Sequence, residues 1–325
     1  MRSALRLVLL VVALAGGTAA LFAWNWWQRA DAPGPLQESR TIVIERGTGP
    51  RAIADALVLN GVVDDRLLFL TVLKIRDQGT RLKAGEYAFA SGQSMNAVIA
   101  QIIAGRTVVR KLTIPEGLTS VEVAALLNGI EGLSGTAGVP PEGSVLPETY
   151  HYKLGDARQD IVRRSRIAMR EALRELWPQR QQDVPVATPA EAVILASIVE
   201  KETGVAVERP RVAAVFINRL RKGMRLQSDP TVIYAVTNGE APLDRPLSRA
   251  DLKLESPYNT YRHGGLPPGP IANPGRAAIH AILNPADTND LYFVADGSGG
   301  HAFSRTLKEH NRNVRRWREL RRQND

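Results

Sequence analysis

Two carboxylates, Glu200 and Glu202, stand where the apolar run AVILASIV (Ala192–Val199) gives out. Thr188-Pro189-Ala190-Glu191 opens that run as a helix, with an N-cap, a proline at the first position and a glutamate at the third. Being apolar nearly all round, the helix is expected to be buried, with Gly204 as its C-terminal cap. A carboxyl at the end of a buried helix is costly to ionise, and desolvation raises its pKa toward what a general acid needs near neutral pH. The alternative is that both glutamates are ordinary surface residues of the last turn. Two positions along a helix turn a side chain by about 200°, so Glu200 and Glu202 are not expected to share one cleft. The paired carboxylates of a glycosidase therefore cannot come from these two residues.

The elements around that helix are legible in outline. A long amphipathic helix is expected from about Ala157 to Trp177, with Val162, Ser165, Met169, Ala172, Leu173 and Leu176 on one face. After it Pro210 opens a helix with Val212, Val215, Phe216 and Leu220 inward, ended by Gly223. Gln227-Ser228-Asp229-Pro230 leads into another helix with Asp229 as its cap. The stretch SPYNTYRHGGLPPGPIANPG (Ser256–Gly275) is too rich in Pro, Gly and Tyr for regular structure. Such a loop can stack aromatic rings on sugars and hydrogen-bond them through amides; a purely structural loop has the same composition.

Nearer the N-terminus a weak repeat appears at an offset of 70 residues. TIVIERGTGPRAIADAL (Thr41–Leu57) aligns with KLTIPEGLTSVEVAALL (Lys111–Leu127). Each copy reads as a strand, a Gly-containing turn and a helix, with Pro50 at a first helical position and Thr119 and Glu122 at capping-box spacing. Between the copies Asp64 is read as capping a helix to about Ile75, Lys83–Phe89 as a strand, and Ser94 as capping a helix to about Ala104. The first module is thus a small α+β unit of roughly βααβ type. Ile130–Glu148 is a Gly- and Pro-rich loop.

The chain has 325 residues, 44% of them hydrophobic and 23% charged, enough to bury a core in about two domains. It has no cysteine, which excludes disulfides, thiolate metal sites and a cysteine nucleophile. The net charge of +9 favours an acidic partner. From Leu7 to Trp27 no charge occurs; this is the length of a membrane-spanning helix. Arg2 and Arg6 precede the run, and Trp24, Trp26 and Trp27 close it, as expected of a cytoplasmic N-terminus and an outer aromatic belt. A cleaved signal peptide is the competing reading. The expected organisation is residues 1–6 cytoplasmic, 7–27 transmembrane, 28–40 linker, 41–110 first module and 111–325 catalytic domain.

Four blocks in order resemble the YceG-like endolytic murein transglycosylases: ASIVEKETG (Ala196–Gly204), VFINRLRKGMRLQSDPTVIYA (Val215–Ala235), the Ser256–Gly275 loop and LYFVADGSGGHAFSRT (Leu291–Thr306). GSVLPETY (Gly143–Tyr150) is similar to a further element of the family, with Glu148 where aspartate is usual. The resemblance implies an α+β chain with a membrane anchor, a LysM-like first module and a mixed α/β catalytic domain. It implies that Glu200 is catalytic and that the reaction is lytic: cleavage between MurNAc and GlcNAc with a 1,6-anhydro end, limiting strand elongation. Asn218, Gln227, Asp229, Tyr258, Asn259 and Tyr261 are the substrate-binding candidates within its blocks. The implied partners are peptidoglycan glycan strands, the cytoplasmic membrane and peptidoglycan synthases, with an extracytoplasmic catalytic domain and no cofactor.

Other signals carry less. GSGGHA (Gly297–Ala302) fits a dinucleotide fingerprint formally, but its flanks read as a hairpin and no room remains for a βαβ unit. The five histidines are scattered, so no metal site is expected. Ser197 lacks the glycines of a nucleophile elbow. The basic tail Lys308–Arg322 reads as an amphipathic helix with Leu307, Val314 and Trp317 inward. A non-catalytic peptidoglycan-binding scaffold is the first rival, and a nucleic-acid binder resting on charge alone is the second.

Overall fold

The strand, glycine turn and helix that recur at an offset of 70 residues are both built. In the computed structural model, which describes residues 2–324 and the side chains from Leu10 to Arg322 except Val11, strand β1 (Arg40–Ile44) leads through Gly47 to helix α2 (Pro50–Leu59). Strand β3 (Arg110–Thr113) leads through Gly117 to α5 (Ser120–Gly129). Both turn glycines take the left-handed backbone, at φ 84° and 78°, where a Cβ would be strained. The aligned apolar positions Ile44 and Ile114, Ala54 and Ala124, and Leu57 and Leu127 are all buried. Thr119 and Glu122 close the expected capping box over α5.

The chain is α+β and divides into two units, residues 1–110 with 153–155 and residues 111–152 with 156–325. The first holds α1 (Arg2–Gln28), β1, α2, α3 (Arg66–Ile75), β2 (Gly85–Phe89) and α4 (Met95–Ala104). β1 and β2 pair antiparallel, Arg40 opposite Phe89 and Ile44 opposite Gly85. The expected LysM-like βααβ module is corrected by this arrangement. The core enclosed by α2, α3 and the strands also takes Met95, Val98, Ile99 and Ile102 from α4, and Ala30 and Leu36 from the segment after α1. Those added elements are integral to the packing, so a closed βααβ unit does not describe it.

The membrane anchor is corrected as well, together with the membrane as partner and the single-pass, inner-membrane topology built on it. Among the described residues no helix is long and apolar enough to cross a membrane. The last tryptophans of α1 do not form an outer belt. Trp26 and Trp27 pack on the core of the first unit, Trp26 Nε1 donates to Asp65 Oδ2 at 3.1 Å, and the Arg76 guanidinium lies over the Trp27 ring. The side chains of Arg2 and Arg6, on which the cytoplasmic N-terminus rested, and those of Leu7–Leu9 and Val11 lie outside the described residues.

The second unit is organised around α7 (Pro189–Glu202), which is buried from Ala192 to Val199 except at Ile194. α6 (Arg158–Leu176), α8 (Arg209–Arg221) and α10 (Arg276–Leu283) surround it, with Leu226 and Ile271 filling between them. A smaller core joins β3, β4 (Thr149–Tyr152), α5 and the first turn of α6. α9 (Asp229–Thr237), the antiparallel hairpin of β5 (Tyr292–Ala295) and β6 (His301–Ser304), and α11 (Leu307–Asn324) complete the unit. Residues 256–275 form no regular element.

Several ends differ from expectation for local reasons. Asp65, not Asp64, caps α3, because Asp65 accepts from Leu68 N–H while Asp64 pairs with Arg29. Ser228 occupies the N-cap of α9, and the Asp229 carboxylate instead accepts from Tyr261. α7 ends on an extended Thr203 whose hydroxyl caps Val205 N–H, so Gly204 is not a left-handed cap. Leu307 is exposed at the start of α11, whereas Val314 and Trp317 are half-buried.

Candidate active site

Glu200 emerges from the last turn of α7 into a space closed on three sides. Its side chain is 5% exposed. Oε2 accepts the Gly275 N–H at 2.9 Å, and Oε1 lies 3.5 Å from an Arg209 nitrogen at the start of α8. The third side is the turn Pro115-Glu116-Gly117, where a Cβ on Gly117 would stand 3.7 Å from Glu200 Cγ. Burial pushes the Glu200 carboxyl above the ordinary glutamate range. The Gly275 N–H, Arg209 and Lys201 pull it down and Glu116 pushes it up; the net direction is up. The result is a carboxyl that is easily protonated yet has partners ready when it ionises, which is what a group that gives and retakes a proton requires.

The two loops that frame Glu200 are sewn together by Asn273, which is fully buried. Its Oδ1 accepts from Val145 N–H at 3.0 Å, and its Nδ2 reaches Leu118 O, Ser120 Oγ and Glu142 Oε1. Its backbone exchanges hydrogen bonds with Gly117 and Leu118. The fixed backbone explains how the Gly275 N–H is held on the glutamate: Asn273 lies two residues before it. Glu142, half-buried in this network, is itself pushed above its usual pKa by desolvation.

Glu202 faces elsewhere. Its carboxyl accepts from Ser228 Oγ at 2.5 Å and borders a cavity of about 410 Å³ shared with Arg219, Gln227, Asp229, Tyr261, Tyr292 and His310. Burial raises its pKa to about 7, with Asp229 adding to the rise and Ser228, His301 and Arg219 opposing it. Tyr261 donates its hydroxyl to Asp229 at 2.6 Å.

Of the six substrate-binding candidates, Gln227, Asp229 and Tyr261 thus line one cavity with Glu202. The other three sit in the framework. Asn218 is buried and donates to the carbonyls of Thr288 and Asp290. Asn259 is fully buried and ties its loop to Leu252 and Leu254, and Tyr258 packs its ring on Tyr234. Glu148 is exposed, and its backbone carbonyl accepts from Ile114 N–H. Sequence reasoning missed Glu116, Arg209, Asn273 and Gly275. The turn Pro115-Glu116-Gly117 was visible within the second copy of the repeat, and Asn-Pro-Gly within the irregular loop, but neither pattern marks chemistry by itself. Among the described residues no cluster of acids and histidines could hold a metal ion.

A protonatable, desolvated carboxyl at a helix end, with a backbone N–H and a guanidinium to receive its charge, is an arrangement suited to acid–base chemistry. The sequence pattern of the YceG-like family matches residues 42–316. An endolytic murein transglycosylase of Bacillus subtilis is 30% identical over 311 residues, covering 85% of both chains. One from Streptococcus pneumoniae is 28% identical over 323 residues, which span 84% of this chain and 57% of that longer relative. The crystal structure of a yceG-like protein from Listeria monocytogenes aligns with a TM-score of 0.50 at 30% identity, over 85% of this chain and 99% of that one. The chain belongs to the YceG-like family.

Proposed function

We propose that this protein is a lytic transglycosylase of peptidoglycan, with Glu200 as its acid and then its base. The chain is a lyase acting on peptidoglycan, as membership of the family and the names of the relatives support. The observation that carries the residue assignment is the Glu200 carboxyl, desolvated by its helix and held between the Gly275 N–H and Arg209. Protonated, it delivers its proton to the glycosidic oxygen as the bond from MurNAc C1 breaks. Ionised, it removes the proton from the MurNAc C6 hydroxyl as that oxygen bonds to C1. The product is a 1,6-anhydro sugar and the carboxyl is regenerated. The internal hydroxyl takes the place of water, so no second carboxylate has to activate a nucleophile. Gln227, Asp229 and Tyr261, which line their cavity with Glu202 and not with Glu200, would bind sugars of the strand away from the bond that Glu200 cleaves.

Mass spectrometry of products from purified glycan strands tests the reaction. Fragments of varied length should accumulate early, end in 1,6-anhydroMurNAc, and form equally after EDTA treatment. Reducing MurNAc ends would show hydrolysis and remove the lytic mechanism. A second assignment within the same reaction has one observation in its favour: the cavity wall is formed by Glu202 rather than Glu200. It predicts that Glu202→Gln, and not Glu200→Gln, is the inactive variant.

A further inference from the structure

Arg209 stands between two carboxylates. The same terminal nitrogen lies 3.5 Å from Glu200 Oε1 and 3.8 Å from Glu116 Oε2. Both separations exceed the roughly 2.8 Å of a committed charge-assisted hydrogen bond, and the Arg209 Nε is buried without a partner. The guanidinium is therefore shared, through one edge, by two acids on different elements. The acids differ in setting: Glu200 is 5% exposed, and Glu116 is 45% exposed at the tip of the β3–α5 turn. Glu116 is also pressed onto the peptide that holds Glu200. A Cβ at Gly275 would meet Glu116 Oε1 well inside contact distance, while the Gly275 N–H donates to Glu200. Lys201, on the same helix as Glu200, also bears on it, and its ammonium donates to Gly117 O at 3.2 Å.

The charge arithmetic of this trio adds to burial in setting which state of Glu200 is stable. Arg209 alone with an ionised Glu200 would form a neutral pair, and such a pair resists protonation. An acid locked in that pair cannot donate. With Glu116 ionised, the neutral trio is instead the one in which Glu200 carries a proton. When Glu200 gives the proton up, Arg209 remains within reach to meet the new charge.

Resting on the reading of Glu200 as acid and base, we propose that Glu116 is a positioning residue of the same site: it holds the Arg209 guanidinium and so leaves Glu200 free to carry the proton that the reaction spends and recovers. Glu116 reaches Glu200 through Arg209, through the Gly275 peptide and through its own charge. Its carboxylate raises the proton affinity of Glu200, where Arg209, Lys201 and the Gly275 N–H lower it. The general acid works in its protonated form, so the rate falls as pH rises through the Glu200 pKa. Loss of the Glu116 charge must move that fall to lower pH.

The test uses the full chain with carboxyl-labelled glutamate. The Glu200 signal is assigned by its loss in Glu200→Gln, and its titration is followed by carbon NMR in wild type, Glu116→Gln and Glu116→Asp. The expected result is a midpoint about one pH unit lower in Glu116→Gln, restored in Glu116→Asp. The alkaline limb of kcat/KM for glycan-strand cleavage should move by the same amount. An unmoved midpoint in a folded Glu116→Gln overturns the proposal. A midpoint that moves while the limb stays where it was overturns instead the reading of Glu200 on which the proposal rests.

Discussion

Glu200→Gln is expected to lower glycan cleavage on the order of a thousandfold, within the range that a positioned proton donor contributes. The amide is nearly the shape of the acid and keeps an oxygen for the Gly275 N–H. Arg209 retains Glu116 as a partner. The folded variant should therefore melt within a few degrees of wild type and still bind strands, since what it lacks is a proton to exchange. Glu202→Gln should cost far less activity, because its carboxyl is turned to Ser228 and away from Arg209 and Gly275. Release of soluble muropeptides by the two variants, read beside their thermal melts, decides the assignment. A stable Glu200→Gln that cuts at the wild-type rate removes Glu200 from the chemistry, and loss in Glu202→Gln alone transfers the proton to the cavity.

The second large effect is on stability. The Glu202 carboxyl has a pKa of about 7 in the folded chain, against an ordinary glutamate value in the unfolded one. The folded state therefore holds its proton more tightly. The corresponding stability is fully present below the unfolded pKa and is lost as pH rises through 7. Glutamine copies the protonated form and keeps an acceptor for Ser228, so Glu202→Gln escapes this loss. Its advantage over wild type should be near zero around pH 4 and reach about 3 kcal/mol by pH 8. Glu200 and Glu142 are shifted in the same direction in both proteins, so the difference between the two curves isolates Glu202. Urea denaturation across that range measures it, and parallel curves would show that burial of the Glu202 carboxyl carries no such penalty.

What could be read in advance was what depends on neighbours in sequence. The Thr119–Glu122 box, the Thr188 cap with Pro189, and the left-handed Gly117 all follow from local rules. So did the opposed directions of Glu200 and Glu202, since a helix fixes the angle between residues two apart. The misreadings came where tertiary partners intervened. Trp26 and Trp27 look like an interfacial belt until Asp65 and Arg76 claim them. Asp229 looks like a cap until Tyr261, 32 residues on, takes its carboxylate. Asn218 and Asn259 each donate Nδ2 to two backbone carbonyls, which no local pattern announces. Glu116 and Arg209 were invisible for the same reason: 93 positions separate them, and only the folded chain brings both to Glu200.

The twofold strand–turn–helix also bears on how such a site can change. In both copies the backbone demand of the turn falls on the glycine, Gly47 or Gly117, and the apolar demand on the flanking strand and helix. The residue just before the glycine answers to neither. It is Arg46 in one copy and Glu116 in the other, opposite charges on the same scaffold. A position that neither the turn's backbone nor the apolar core constrains is where a lineage can try new chemistry without first risking the protein. Saturation of position 116 should therefore yield mostly folded variants that differ in pH optimum, and the same library at 117 variants destabilised by about 1–2 kcal/mol.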